Sequence, residues 1–207
     1  MKVLLINGSP NRTGCTFTAL TMVADSLEYE GIETEIISIG KKPIVGCLNC
    51  GGCAQDGYCV LPDDGVNTAI DLAKQADGFI FGSPVYYAAP NGALCTMLDR
   101  MFFMNHDIFA FKPGAAVVNC RRGGASAAFD RLNKYFTIAH MPVVSSQYWN
   151  STHGLTPDEV RKDQEGMQTM RLLGQNMAWL LHCIDHAKEA FPHPELEART
   201  ATNFIED

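Results

Sequence analysis

The chain reads as a doubly wound α/β protein, a three-layer sandwich with a five-stranded parallel sheet of order 2-1-3-4-5 and helices on both faces. Three observations predict it. Short apolar runs alternate with segments of helical periodicity along the 207 residues, and strict βα alternation gives parallel strands joined by right-handed crossovers. The runs V-L-L-I at 3–6, F-I-F-G at 79–82 and A-A-V-V at 115–118 are apolar throughout, as in strands covered on both faces. A turn rich in glycine and hydroxyls, residues 8–16, leads from the first run into the first helix, at the strand end where open α/β sheets bind ligands.

The elements follow in order. Residues 2–7 form the first strand. A helix over 14–30 carries Phe17, Leu20, Val23 and Leu27 on one face, and Gly31 ends it. The second strand spans 34–39, and the stretch 40–62 is irregular and rich in cysteine. A second helix covers 63–76, with Asp63 and Asp64 complementing its dipole. The third strand is 78–83, the third helix 91–103, the fourth strand 113–119, the fourth helix 124–139 and the fifth strand 141–147. Thr156, Pro157 and Glu159 make a capping box with proline at the first helical position. It opens a long last helix to about residue 190. The pattern predicts one domain over 1–207 with a cysteine-rich excursion at 40–62.

Composition narrows the function. The formal charge is −7 and no basic run occurs, so nucleic acid is not an expected partner. A local basic pocket for a nicotinamide phosphate is compatible with that charge. The N-terminus has no charged segment with a cleavage site, which predicts no signal peptide. No apolar run reaches about 18 residues, which predicts no membrane span. The expected compartment is the cytoplasm. There, eight cysteines point to metal, redox chemistry or burial rather than disulfides.

The turn at 8–16 is a phosphate-binding candidate. A helix N-terminus offers free N–H groups and the positive end of the dipole. Ser9, Thr13 and Thr16 add hydroxyls, and Arg12 adds charge. Two common nucleotide signatures fail. Thr13, Gly14 and Cys15 stand where the Walker A register needs its second glycine, its lysine and its Ser/Thr, and Ser9 and Pro10 follow Gly8 where G-x-G-x-x-G needs its second glycine. What remains suits a monophosphate monoester held without metal, as in FMN. The alternative is an ordinary βα turn with a Ser/Thr cap.

Two further loops share that sheet edge. Residues 82–92 read G-S-P-V-Y-Y-A-A-P-N-G. Pro84 stiffens the loop, while Val85, Tyr86 and Tyr87 offer the apolar wall that a flat isoalloxazine needs. The alternative is that both tyrosines cap the core. Residues 119–124 read N-C-R-R-G-G. Gly123 and Gly124 let backbone approach a ligand and open a helix whose N-terminus stabilises negative charge at the flavin N1/O2 edge. Arg121 or Arg122 serves the same edge, meets a nicotinamide phosphate, or is simply solvated.

Together these motifs carry a resemblance over the first 150 residues or so. G-S-P-N-R-T-G-C-T at 8–16, G-S-P-V-Y-Y at 82–87 with M-L-D-R at 97–100, and N-C-R-R-G-G at 119–124 are similar to the signatures of the NADPH-dependent FMN reductase family, which has a flavodoxin-like fold. The resemblance implies FMN held at its phosphate by Ser9, Arg12, Gly14 and Thr16 beside Cys15, with Pro84, Val85, Tyr86 and Tyr87 along the ring and Asn119, Arg121, Gly123 and Gly124 in the third loop. It also implies NAD(P)H as co-substrate. Cys15, Arg121 and Arg122 stand where smaller or different polar residues are usual in that family.

Cys47, Cys50, Cys53 and Cys59 follow the spacing C-x2-C-x2-C-x5-C. Three thiolates at two-residue gaps can wrap one face of a cubane, and a fourth can close it. Gly46, Gly51, Gly52 and Gly57 permit the tight turns. The motif resembles that of the iron–sulfur flavoproteins, a branch of the same family with a [4Fe–4S] centre. Zinc and free or redox-active thiols are the alternatives. Cys95 and Cys183 read as buried fillers. Cys15 sits at a helix N-terminus, where a thiol pKa falls, or packs as a small residue beneath the phosphate. His182 and His186 lie four apart without a third ligand, and His153 lies in a loop within reach of the pocket.

The expected activity is an FMN-dependent NAD(P)H oxidoreductase that passes electrons to a quinone, a flavin or another small acceptor. The alternatives are an iron–sulfur flavoprotein electron carrier that never meets NAD(P)H, and a redox-sensing module switched at Cys47–Cys59. The expected partners are a small-molecule acceptor or a redox protein. A homodimer or homotetramer is expected too, because a shallow flavin edge needs walls; Phe204 and Ile205, poorly explained by a monomer core, pack on a partner or belong to a frayed tail.

Overall fold

The structure, a computed structural model, describes residues 1–61, 64–103, 105–198, 200 and 202. Its elements run β1 (Lys2–Asn7), α1 (Cys15–Tyr29), β2 (Glu33–Ser38), a 3-10 turn (Gly52–Ala54), α2 (Val66–Lys74), β3 (Gly78–Tyr86), β4 (Ala89–Pro90) and α3 (Gly92–Phe102). Then follow α4 (His106–Phe109), β5 (Gly114–Cys120), α5 (Ala125–Ile138), β6 (Ser151–His153), α6 (Pro157–Lys162) and α7 (Gln164–Ala187).

The sheet order is β2-β1-β3-β5-β6, with β4 paired to β3. The five strands of that path pair in parallel and follow the predicted order 2-1-3-4-5, while β4 is a short antiparallel addition. Alternation along a strand sends neighbours to opposite faces. Leu4 and Ile6 of β1 join Phe79, Phe81 and Phe136 in the core under α2, α3 and α5. Val3 and Leu5 join Ile80, Val117, Leu20 and Leu173 in the core under α1 and α7. Burying both faces of the sheet is the main source of stability in such a layered fold.

Several boundaries differ from the sequence reading, each for a local reason. The fifth strand is not at 141–147. That stretch makes one isolated bridge, Gly114 to Val143, because Pro142 has no N–H to offer; the ordered pairing with β5 comes later, at Ser151–His153. The third strand runs on to Tyr86 and turns back as β4. The last helix is two helices: the Asp163 carboxylate accepts from the Gly166 N–H at 3.0 Å and starts α7 afresh. Asp63 lies outside the described residues, and Asp64 stands just before the helix, which begins at Val66; its carboxylate meets both Arg100 and the Val66 N–H at the helix start. Phe204 and Ile205 also lie outside the described residues. Among the described residues no helix is long and apolar enough to cross a membrane.

Candidate flavin rim and cysteine cavity

The turn after β1 is held from within by Asn7, a fully buried residue. Its Oδ1 accepts from the Ser9 N–H at 3.1 Å, and its Nδ2 donates to Ser38 Oγ at 3.2 Å and to the Asn11 carbonyl at 3.4 Å. Ser9 Oγ accepts from the Asn11 N–H at 3.2 Å. Gly8 donates its N–H to the Gly82 carbonyl at 2.8 Å. A Cβ on Gly8 would stand 2.7 Å from that carbonyl and 2.6 Å from Leu94, so only glycine lets β1 and β3 end this close together.

Gly14 is the N-cap of α1 and supplies no side-chain hydrogen bond. The ordinary capped turn is therefore absent, and the first-turn amides are left for a ligand. Thr16 is 1% exposed, and its Oγ1 is buried without a hydrogen-bond partner. A buried hydroxyl without a partner costs about 1–3 kcal/mol, so an acceptor is missing there. A phosphate oxygen is such an acceptor. Arg12, Lys41 and Lys42 line an open cleft of ≈ 830 Å³ together with Asn11, Thr13 and Pro157. The sequence reading passes over the lysines, although the K-K pair directly after Gly40 is a visible signal, and gives Pro157 only a helix-opening role.

The second loop is a hairpin. Val85 pairs with Pro90 and Tyr86 with Ala89, and the two residues between them, Tyr87 and Ala88, have φ of 50° and 59°. This is the positive-φ geometry of a tight hairpin turn, held here without glycine and so under strain. Tyr86 and Tyr87 are exposed, which corrects the core-cap alternative, while Pro84 and Val85 are half-buried. Asn91 ties this loop to the first. Its Nδ2 donates to the Gly8 carbonyl at 2.6 Å, its Oδ1 accepts from the Ala93 N–H at 3.1 Å as the cap of α3, and its own N–H donates to Ser83 Oγ at 2.8 Å.

The third loop meets the second directly. A Cβ on Gly124, whose φ is 88°, would lie 2.8 Å from Ala88 Cα and 3.1 Å from Val85. Asn119 is buried, and its amide is spent on Thr152, at 3.0 Å to Oγ1 and 3.2 Å to the carbonyl. Arg121, Arg122 and Gly123 are exposed. The Cys15 thiol is half-buried against the α1/α7 core, and burial pushes its pKa up rather than down. That favours a small packed residue over the alternative of an activated thiol. Cys183 is exposed, not a buried filler, and Cys95 is half-buried. His182 Nε2 lies 3.3 Å from the Glu30 carbonyl, and the His153 N–H donates to Asp163 at 2.7 Å.

Cys47, Cys50, Cys53 and Cys59 all line one small concavity, closed by Leu48, Val60, Leu61, Arg100 and Phe103. Cys47 and Cys50 are exposed; Cys53 and Cys59 are half-buried. Asn67 clamps the Cys59 backbone from both sides, accepting its N–H and donating to its carbonyl, each at 2.8 Å. Arg100 is the residue here that sequence reasoning passed over. Its side chain is 2% exposed and that of Asp64 9%. It donates Nε–H to Cys59 Sγ at 3.2 Å and Nη1–H to the Val45 carbonyl at 2.9 Å and to the Asp64 carboxylate. Burial opposes ionisation of Asp64, but hydrogen bonds from Arg100 and the Val45 N–H outweigh it and hold the carboxyl below its usual range. Among the described residues no three His, Cys, Asp or Glu side chains are disposed to hold a single metal ion. A cubane spreads its thiolates more widely than one ion does. The donor set, four soft thiolates around one apolar hollow beside a cation, suits such a cluster.

The chain is similar to an iron–sulfur flavoprotein of Methanocaldococcus jannaschii, with 32% identity over 196 residues, covering 89% of this chain and 99% of that one. An iron–sulfur flavoprotein of Methanosarcina thermophila matches at 27% over 195 residues, 91% of this chain and 100% of that one. Among solved structures, a flavodoxin from the domain Archaea superposes with a TM-score of 0.59 at 16% identity, covering 88% of this chain and 99% of that one, so the fold is flavodoxin-like. The family model described as NADPH-dependent FMN reductase matches residues 1–156. This chain belongs to the NADPH-dependent FMN reductase family.

Proposed function

We propose that the protein is a redox carrier of the iron–sulfur flavoprotein kind, holding FMN at the rim of the sheet and a [4Fe–4S] cluster at Cys47, Cys50, Cys53 and Cys59. The observation that carries the FMN half is the buried, partnerless hydroxyl of Thr16 at an uncapped helix N-terminus. For the cluster half, it is that all four cysteines line one hollow. FMN supplies an isoalloxazine that exchanges electrons singly or in pairs, and the cluster exchanges them one at a time.

The chain's own residues position and stabilise. Thr16 Oγ1 and the first-turn amides of α1 bind the phosphate, with the α1 dipole favouring its charge. Ser9, its hydroxyl engaged by Asn11, shapes the turn. Arg12, Lys41 and Lys42 give the mouth of the cleft a positive field that draws an anionic ligand. Val85, Tyr86 and Tyr87 would wall the ring, and the N–H groups at the start of α5 would stabilise negative charge gathering on it. No side-chain acid or base is needed at the rim.

A second reading has reduced nicotinamide as the direct donor. The family description and the cationic cleft at Arg12, Lys41 and Lys42 support it. The two readings part in one experiment. Protein purified without oxygen is assayed for iron, sulfide and FMN, then mixed with NADPH under a spectrophotometer. The carrier reading expects brown protein with four irons per chain or close to it and slow or no bleaching by NADPH. Iron-free yellow protein bleached at once by NADPH would overturn it in favour of the second reading. A second copy of the chain would wall the exposed edge at Tyr86 and Tyr87, and light scattering on the purified protein tests for a homodimer or homotetramer.

A further inference from the structure

The cysteine hollow is not evenly surrounded. Among the described residues, Cys47 Sγ accepts a backbone N–H from Asn49 at 3.5 Å, while Cys59 Sγ accepts the Nε–H of a full guanidinium at 3.2 Å. A buried arginine usually spends its charge on carboxylates. Arg100 gives one nitrogen to Asp64 and to the Val45 carbonyl, and turns another on a thiol sulfur. The pair also sits at a structural junction. Asn91 caps the first turn of α3 and binds the phosphate turn through Gly8, while Arg100 in the last turn of the same helix binds the cysteine loop.

From this geometry we infer that Arg100 is a positioning residue that sets the reduction potential of the cysteine-bound cluster through Cys59 Sγ, and that Asp64 trims its effect. The inference rests on the cluster reading above. The physics is direct. Accepting an electron adds negative charge, and part of that charge resides on the ligand sulfurs. An N–H donor aimed at a ligand sulfur stabilises the reduced, more negative state and raises the potential. A cationic donor does so more strongly than a neutral one. The Asp64 carboxylate, bonded to the same guanidinium, cancels part of that positive field. Removing the two partners should therefore move the potential in opposite directions. A role limited to packing would move neither, because both residues serve the same ion pair.

The test is a potentiometric titration of the anaerobically purified holoprotein with dithionite as electron donor, following the reduced cluster by electron paramagnetic resonance. Wild type is compared with Arg100→Gln, Arg100→Lys and Asp64→Asn, and iron and FMN are counted in each. Arg100→Gln is expected to disfavour reduction by at least tenfold, about 59 mV for a one-electron couple. Arg100→Lys falls between that variant and wild type, and Asp64→Asn shifts the potential upward. FMN content is expected to stay the same throughout. Iron-replete variants whose reduction equilibria stay within about twofold of wild type would overturn the inference. If Arg100→Gln does not fold or loses its iron, Asp64→Asn keeps the guanidinium and decides the matter: an upward shift supports the inference and an unchanged potential overturns it. Wild-type protein without iron or sulfide defeats the cluster reading itself, and the inference with it.

Discussion

The flavin rim and the cysteine hollow are built by opposite means. The rim is tied to the sheet by backbone and buried amides. Gly8 bonds Gly82, Asn91 bonds Gly8, Ser83 accepts from Asn91, and Asn7 fills the phosphate turn. The cysteine stretch between β2 and α2 has one short 3-10 turn of its own. It hangs on Asn67 and Arg100, which project from α2 and α3, on Asn105 just before α4, and on Asp64. The first is a preorganised cradle. On the cluster reading proposed above, the order of the second is coupled to what it binds, because metal affinity and local folding share one free energy.

The sharpest way to break that contrast is to remove a thiolate. Cys53→Ser is expected to abolish iron incorporation while FMN stays near one per chain, as read by metal analysis and the flavin absorbance. Loss of both together would mean the two regions are one cooperative unit. A smaller effect is expected at the joint between the rim loops. Asn91→Ala removes a helix cap, worth about 0.5–2 kcal/mol, and also releases the Gly8 carbonyl. Thermal unfolding should register the destabilisation, and FMN titration should register weaker binding with iron content unchanged. The smallest effect is in the pH dependence. The Asp64 carboxyl is held below its unfolded value of about 3.9, so its contribution is complete above that value and fades as pH falls through the folded one. Stability measured from pH 5 down to pH 3 should therefore vary less in Asp64→Asn than in wild type. An unchanged acid limb would show that Asp64 carries no such coupling.

The same contrast explains what the sequence made legible. Local signals were plain: the apolar runs of β1, β3 and β5, the hydroxyl-rich turn before Cys15, and the cysteine spacing at 47–59. What escaped depends on contacts distant in sequence. Asn7 looks like the end of a strand, yet it organises the phosphate turn. Arg100 lies in a helix 41 residues beyond the cysteine it touches. The run M-P-V-V at 141–144 is as apolar as any strand, but an edge position and a proline leave it a single bridge, and the pairing passes to Ser151–His153. The break at Asp163 was readable in principle, since an aspartate three residues before a glycine can cap a new helix, but the periodicity on either side masks it.

The central claim is that a phosphate group completes the partnerless hydroxyl of Thr16. Thr16→Val keeps the shape of the side chain and removes the oxygen. In the flavin-free protein this relieves an unsatisfied buried group, so thermal unfolding should show equal or greater stability, by up to about 1–3 kcal/mol. In an FMN titration followed by fluorescence quenching, the lost charge-assisted bond of about 1.5–3 kcal/mol should weaken binding by roughly 10- to 150-fold. Affinity equal to wild type in that titration would contradict the account.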